Sequence, residues 1–151
     1  MPKHRPKKIW IDGDACPKAV KEIVFKAGSR LNISMIVVAN AYQLIPRNDL
    51  IKLIVVDQGF DAADQHIIDL VQIHDLVITA DIPLAAKVLK KLAVALNPRG
   101  EIYHENNICS ILSMRDFMKE FRDAGTIISG PAAFGPKDLK RFADSLNKLL
   151  S

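Results

Sequence analysis

Three stretches of this chain place carboxylates directly behind apolar runs. Asp12-Gly13-Asp14 follows Ile9-Trp10-Ile11. Asp57-Gln58-Gly59-Phe60-Asp61-Ala62-Ala63-Asp64 follows Leu53 to Val56. Thr79-Ala80-Asp81 follows Val77-Ile78. Carboxylates drawn together repel one another, and the cluster is costly unless protons or a cation offset the charge. Hard oxygen ligands of this kind suit Mg²⁺ or Mn²⁺. Two such ions about 3.5–4 Å apart can activate a water and stabilise a leaving oxygen in phosphodiester cleavage. Each acid also has a purely structural use, because a carboxylate near a helix start accepts hydrogen bonds from free backbone N–H groups. That use suits Asp61 and Asp64 before one helix and Asp14 before another. Asp12 and Asp81 sit at the ends of apolar strands, near the core edge, and there the functional reading is the stronger.

The remaining reactive side chains point elsewhere. Cys16 lies near the acids with no histidine beside it as a base, and carboxylates raise a thiol's pKa, so it reads as structural. His66 and His74 are eight residues apart, a poor spacing for a shared metal, and read as surface or satisfied residues. His104 carries no readable signal.

The elements that must position the acids alternate between strand and helix patterns, which predicts a three-layer α/β/α fold around a mainly parallel sheet of four to five strands. The predicted strands are Lys8 to Asp12, Ser34 to Ala39, Lys52 to Val56, Asp75 to Thr79 and, shorter, Ala93 to Leu96. Between them, a helix starts at Pro17 and ends at Gly28-Ser29, with Ala19, Val20, Ile23, Val24 and Ala27 as its apolar face. Others run from Ala62 to Ile73, with Ile67, Ile68 and Val71 inward, and from Pro83 to Leu92. Two more close the chain: Ile108 to Arg122, stopped at Gly125, and one after Pro136 with Leu139, Phe142, Ala143, Leu146, Leu149 and Leu150 at helical spacing. A Gly/Pro/Ala loop joins them at 130–135. In an open sheet of this kind ligands bind outside the carboxyl ends of the strands, where the strand order reverses. Every strong strand except the second delivers a carboxylate to that edge.

Bulk properties bound the rest. With 151 residues, 49% of them hydrophobic, the chain suits one domain with an ordinary core. Its two cysteines, Cys16 and Cys109, are far apart, which argues against a disulfide scaffold or a cysteine metal site and favours a reducing, cytoplasmic setting. No apolar run approaches the roughly 20 residues of a membrane span. The net charge of +4 permits an anionic partner without demanding one. Lys3, Arg5, Lys7 and Lys8 make residues 1–7 a basic, flexible tail that could touch phosphates.

The segments Asp12-Gly13-Asp14-Ala15-Cys16-Pro17, Gln58 to Asp64, and Val77 to Ala85 resemble the bacterial YaiI/YqxD-like family. Pro98-Arg99-Gly100-Glu101 and the stretch from Gly130 to Phe142 extend the resemblance to nearly the whole chain. More distantly, the arrangement resembles the PIN-like nuclease superfamily, which includes NYN-type domains, and Thr79-Ala80-Asp81 is similar to its Thr/Ser-x-Asp element. That resemblance implies that Asp12, Asp61 and Asp81 contact Mg²⁺ or Mn²⁺ directly or through water, with Asp14 and Asp64 serving a second ion or the outer circle of ligands. It implies a metal-dependent ribonuclease, with RNA as partner. Thr79, Lys18 and Arg99 would then contact substrate, with Arg47 and Lys87 as further phosphate contacts. One departure stands out: many PIN domains carry another acid soon after Thr-x-Asp, where this chain has Ile82-Pro83-Leu84.

Two other readings share these residues. A strand ending in Asp-x-Asp also resembles haloacid-dehalogenase-type phosphatases, with Asp12 as nucleophile and Asp14 as general acid, but the acidic pair expected after the fourth strand is a single Asp here. The absent fourth acid favours instead a non-catalytic PIN-like module that holds nucleic acid or a protein.

Overall fold

The computed structural model describes residues 5–57, 59, 62–125 and 133–151. Residues 1–4 of the expected basic tail, 130–132 of the expected loop, and Asp61 therefore lie outside the described residues.

Among the described residues, six strands form one sheet: β1 (Lys8–Asp12), β2 (Ser34–Ala39), β3 (Ile51–Val55), β4 (Leu76–Ile78), β5 (Val94–Leu96) and β6 (Ile102–Tyr103). Five helices accompany them: α1 (Lys18–Arg30), α2 (Ala62–Leu70), α3 (Ile82–Lys90), α4 (Glu105–Asp123) and α5 (Pro136–Leu150). The strand order is β3-β2-β1-β4-β5-β6. All neighbours pair in parallel except β5 and β6. The chain thus builds outward from β1 through β2 to β3, then returns to the other side of β1 with β4. The reversal lies between β1 and β4.

Strand alternation divides the core in two. Ile9, Ile11, Met35, Val37, Leu76 and Ile78 face α1 and α5, where Val20, Val24, Phe25, Phe142 and Leu146 meet them. Trp10, Ile36, Val38, Val77 and Ala95 face the other way, onto Ile67 of α2, Leu84, Ala85 and Val88 of α3, and Ile108 of α4. Because β1 and β4 are covered on both faces, their sequences read as continuous apolar runs. The layers are helix, sheet and helix, as the alternation of patterns predicts.

The structure departs from the expected elements at several ends. Helix α1 runs through Gly28-Ser29 to Arg30 instead of stopping there. A Cβ at Gly28 would lie 2.3 Å from Met35 Sδ, so this glycine serves a close helix–strand approach and not a stop. Helix α2 ends at Leu70, short of Ile73, because Asp75 Oδ2 accepts from Gln72 N (3.0 Å) and draws the chain into a turn. The same carboxylate accepts from Trp10 Nε1 (3.0 Å), which ties that turn to β1. Strand β6 was not expected. Asn97-Pro98-Arg99-Gly100 does not stop the sheet but reverses it: Gly100 N donates to Asn97 O (2.8 Å), and Asn97 N to Glu101 O (2.8 Å). Gly100 has φ +96° and lies where a Cβ would be 2.6 Å from the backbone of Arg141 in α5. No helix among the described residues is long and apolar enough to cross a membrane.

Candidate functional site

The last residue of β1 is Asp12, and only 6% of it is exposed. Across the reversal point, β4 ends at Ile78 and continues into Thr79, which is fully buried. The Thr79 hydroxyl donates to Asp12 Oδ2 (3.0 Å), and Thr79 Oγ1 itself accepts from Asp81 N (3.0 Å). Asp81 Oδ1 in turn accepts from Leu84 N (3.0 Å) at the start of α3. A continuous set of hydrogen bonds therefore links the carboxyl ends of the two strands that flank the reversal.

Burial raises the Asp12 carboxyl above its ordinary pKa, and the nearby charges of Asp81 and Asp14 raise it further. The Thr79 hydrogen bond and the charge of Lys21 oppose that rise. A dry carboxylate facing two others is the electrostatic condition that a cation relieves.

Asp14 reaches the same edge by a turn that requires Gly13. A Cβ there would lie 2.8 Å from Val37 Cγ1. Gly13 N donates to Val38 O (2.8 Å), and Asp14 Oδ2 accepts from Asn40 N (2.8 Å), so the acid loop is laced to the end of β2. The second strand, passed over for lacking a carboxylate, thus delivers Asn40. Its Oδ1 is buried and has no hydrogen-bond partner among the described residues. Asn40 was legible in principle: the edge rule that selected the aspartates applies equally to an amide oxygen.

Asp64 lies in the first turn of α2. It lines, with Asp81, a cavity of about 330 Å³ whose other walls include Lys87 of α3 and Arg115 of α4. Arg115 was missed because it lies far along the chain from every acid and has no motif around it; only the packing of α4 on α3 brings it in.

The other expected residues fall as follows. Asp61 lies outside the described residues. Thr79 is sealed from solvent with its proton donated to Asp12, so the structure gives it a positioning place and no surface for substrate. Lys18 is exposed at the start of α1, beside a second cavity between that helix and the β2–β3 connection. Arg99 bonds to Asp138 Oδ2 (3.1 Å) and lies over the Phe134 ring (5.6 Å), which ties it to the start of α5. Cys16 is buried and its thiol is pushed up to about 12 by burial, in keeping with a structural residue. His66 was expected to be a surface or satisfied residue; it is half-buried, and its Nε2 has no hydrogen-bond partner among the described residues.

Among the described residues, no three His, Cys, Asp or Glu side chains gather closely enough to hold a metal ion. Mg²⁺ asks for less: it commonly takes one or two carboxylates and keeps water or substrate phosphate in its other positions. Asp12 and Asp81, with the partnerless Asn40 oxygen at the same edge, fit that open kind of site.

A family model described as "Uncharacterized BCR, YaiI/YqxD family" matches residues 10–151. Among curated proteins, a UPF0178 protein of Maridesulfovibrio salexigens is 55% identical over 143 residues, covering 95% of each chain. One from Marinomonas sp. is 51% identical over 144 residues, covering 95% of this chain and 97% of its own. A third, from Trichlorobacter lovleyi, is 50% identical over 143 residues, covering 95% and 93%. No solved structure matches. A match that runs from β1 to the last residue of the chain takes in the acid loop, the Thr79–Asp81 turn and every helix that holds them, and on that match this chain belongs to the YaiI/YqxD family.

Proposed function

We propose that this protein is a metal-dependent phosphodiesterase of the PIN-like type, acting on single-stranded RNA with Mg²⁺ or Mn²⁺. The observation that supports it is the linkage of Asp12, at the end of β1, through Thr79 to Asp81, just beyond the end of β4, where the sheet order reverses and open α/β sheets bind ligands. In this reading Asp12 and Asp81 hold the ion, Thr79 fixes the rotamer of Asp12, and Asp14 and Asp64 add negative charge around it. When bound, the ion supplies an acidified water and a Lewis acid for a phosphoryl oxygen. Lys87 and Arg115, which share a cavity with Asp81 and Asp64, neutralise the phosphate charge that a carboxylate-lined edge would otherwise repel. The phosphatase alternative needs an acidic pair after the fourth strand, where this chain has Asp81 followed by Ile82-Pro83-Leu84. A cytoplasmic setting accords with an exposed, unpaired Cys109.

The test is Mn²⁺-dependent cleavage of a labelled single-stranded RNA by wild type, Asp12→Asn and Asp81→Asn. Asparagine keeps an oxygen to accept from Thr79 or from Leu84 N, so both variants fold. Cleavage by wild type that falls at least about a hundredfold in each variant is expected, as removing a metal ligand should exceed the loss seen for outer-shell partners. Equal inactivity of all three proteins ends this reading. The open ligand set among the described residues favours one alternative, a non-catalytic module; RNA binding that persists in chelator with no cleavage would select it.

A further inference from the structure

The acids and the Lys87–Arg115 cavity account for one face of the sheet edge. On the other face, between α1 and the β2–β3 connection, lies a cavity of about 540 Å³, within the roughly 300–1,000 Å³ typical of small-ligand pockets. Its walls are of two kinds. Phe25, Ile45, Pro46 and Leu44 are apolar, while Lys18 and Lys21, one helical turn apart, outnumber the single carboxylate of Glu22. The cavity is also built into the acid loop. Lys21 Nζ donates to Gln43 Oε1 (2.6 Å), and Gln43 Nε2 donates to the carbonyl of Gly13 (3.0 Å), which lies between Asp12 and Asp14. Gln43 is turned inward by those bonds, and its two neighbours stand outward: Tyr42 is 76% exposed and Leu44 is 89% exposed. Large apolar side chains held out together beside a cavity make a patch that suits a binding surface.

We infer that this cavity takes one nucleotide of a nucleic-acid strand, with the base against the Phe25–Ile45–Pro46 wall and a phosphate on Lys18. A nucleotide combines the two features the walls ask for, a flat apolar body and an anion. Tyr42 at the rim offers a face on which the adjoining base stacks. The inference rests on the phosphodiesterase reading and deepens it: a strand seated here runs across the carboxyl edge of the sheet, past Asp12 and Asp81, toward Lys87 and Arg115. Sequence reasoning named Lys18 without the wall that gives it a ligand.

The experiment titrates uridine and adenosine 5′-monophosphates into the full chain in chelator and follows backbone amides by NMR, with uridine and inorganic phosphate as separate probes. The mononucleotides should shift the amides of Lys21, Gln43, Leu44 and Ile45 and bind about tenfold more tightly than either half alone. Lys18→Glu and Leu44→Asp, both at exposed positions that spare the fold, should each weaken binding about tenfold, through the lost charge contact and the lost apolar contact. Binding should also fall as salt rises. With no metal present, a positive result stands even if the RNA cleavage assay fails. The inference is overturned if the mononucleotides leave these amides unmoved, if inorganic phosphate binds as tightly as they do, or if both variants bind like wild type.

Discussion

Asp12→Asn should make the metal-free protein more stable at neutral pH. In the wild type a carboxylate that is 6% exposed is held near Asp14 and Asp81, and it accepts a hydrogen bond from the Thr79 hydroxyl. Removing the charge relieves a desolvation cost of several kcal/mol per buried ion and repulsion of order 1 kcal/mol from each neighbouring carboxylate. Against that, the Thr79 hydrogen bond passes from a charged to a neutral acceptor, a loss of about 1 kcal/mol, and the opposing attraction of Lys21 disappears. Wild type can escape most of that cost by taking up a proton, which caps the penalty at about 1.4 kcal/mol per unit of raised pKa, so the net expectation is a gain of about 1–2 kcal/mol, or a rise in Tm of about 2–8 °C for a chain of this length. The sign with pH follows from the raised folded-state pKa. Wild type gains stability as pH falls through the folded value toward the ordinary 3.8 and loses it as pH rises, so the advantage of the variant is full at neutral pH and vanishes in acid. Thermal melts monitored by circular dichroism across that range, with and without Mn²⁺, check both halves. Mn²⁺ at a hundredfold excess over its Kd should stabilise wild type by about 2.7 kcal/mol and leave the variant unmoved. A lower Tm for the variant at neutral pH, or an equal Mn²⁺ shift in both proteins, refutes the reasoning.

Two further outcomes follow from the same geometry. Thiol labelling at neutral pH should modify Cys109 alone in the native protein and Cys16 only after unfolding, since Cys16 is buried with its thiol pushed up to about 12; two fast equivalents by mass spectrometry would contradict this. Arg99→Ala should lower stability by about 1–2 kcal/mol in denaturant melts, through the partly exposed Asp138 bond and the Phe134 contact. It should leave RNA affinity unchanged; weaker RNA binding with unchanged stability would restore Arg99 to the substrate.

The pattern of apolar runs and helical stripes determined the layers of this protein, because burial periodicity is a local property of the chain: β1 and β2 were legible to the residue, and α5, expected after Pro136, begins at that proline. Turns were harder. Gly28 reads as a stop and Asn97 to Gly100 as an end of sheet, because a glycine's use depends on what approaches it, Met35 in one case and Arg141 in the other. The aspartates at strand ends were visible as candidates, since any strand in a parallel sheet points its carboxyl end to the same edge. Which of them meet was a tertiary matter. The pairing of Asp12 with Thr79 and Asp81 across 67 positions of sequence depends on β4 returning to the free side of β1. The same packing drew Asn40, Lys87, Arg115 and the Lys18 cavity to one edge of the sheet and set Arg99 against Asp138 and Phe134. Local sequence decides what each strand end carries; strand order and helix packing decide which of those groups share a space.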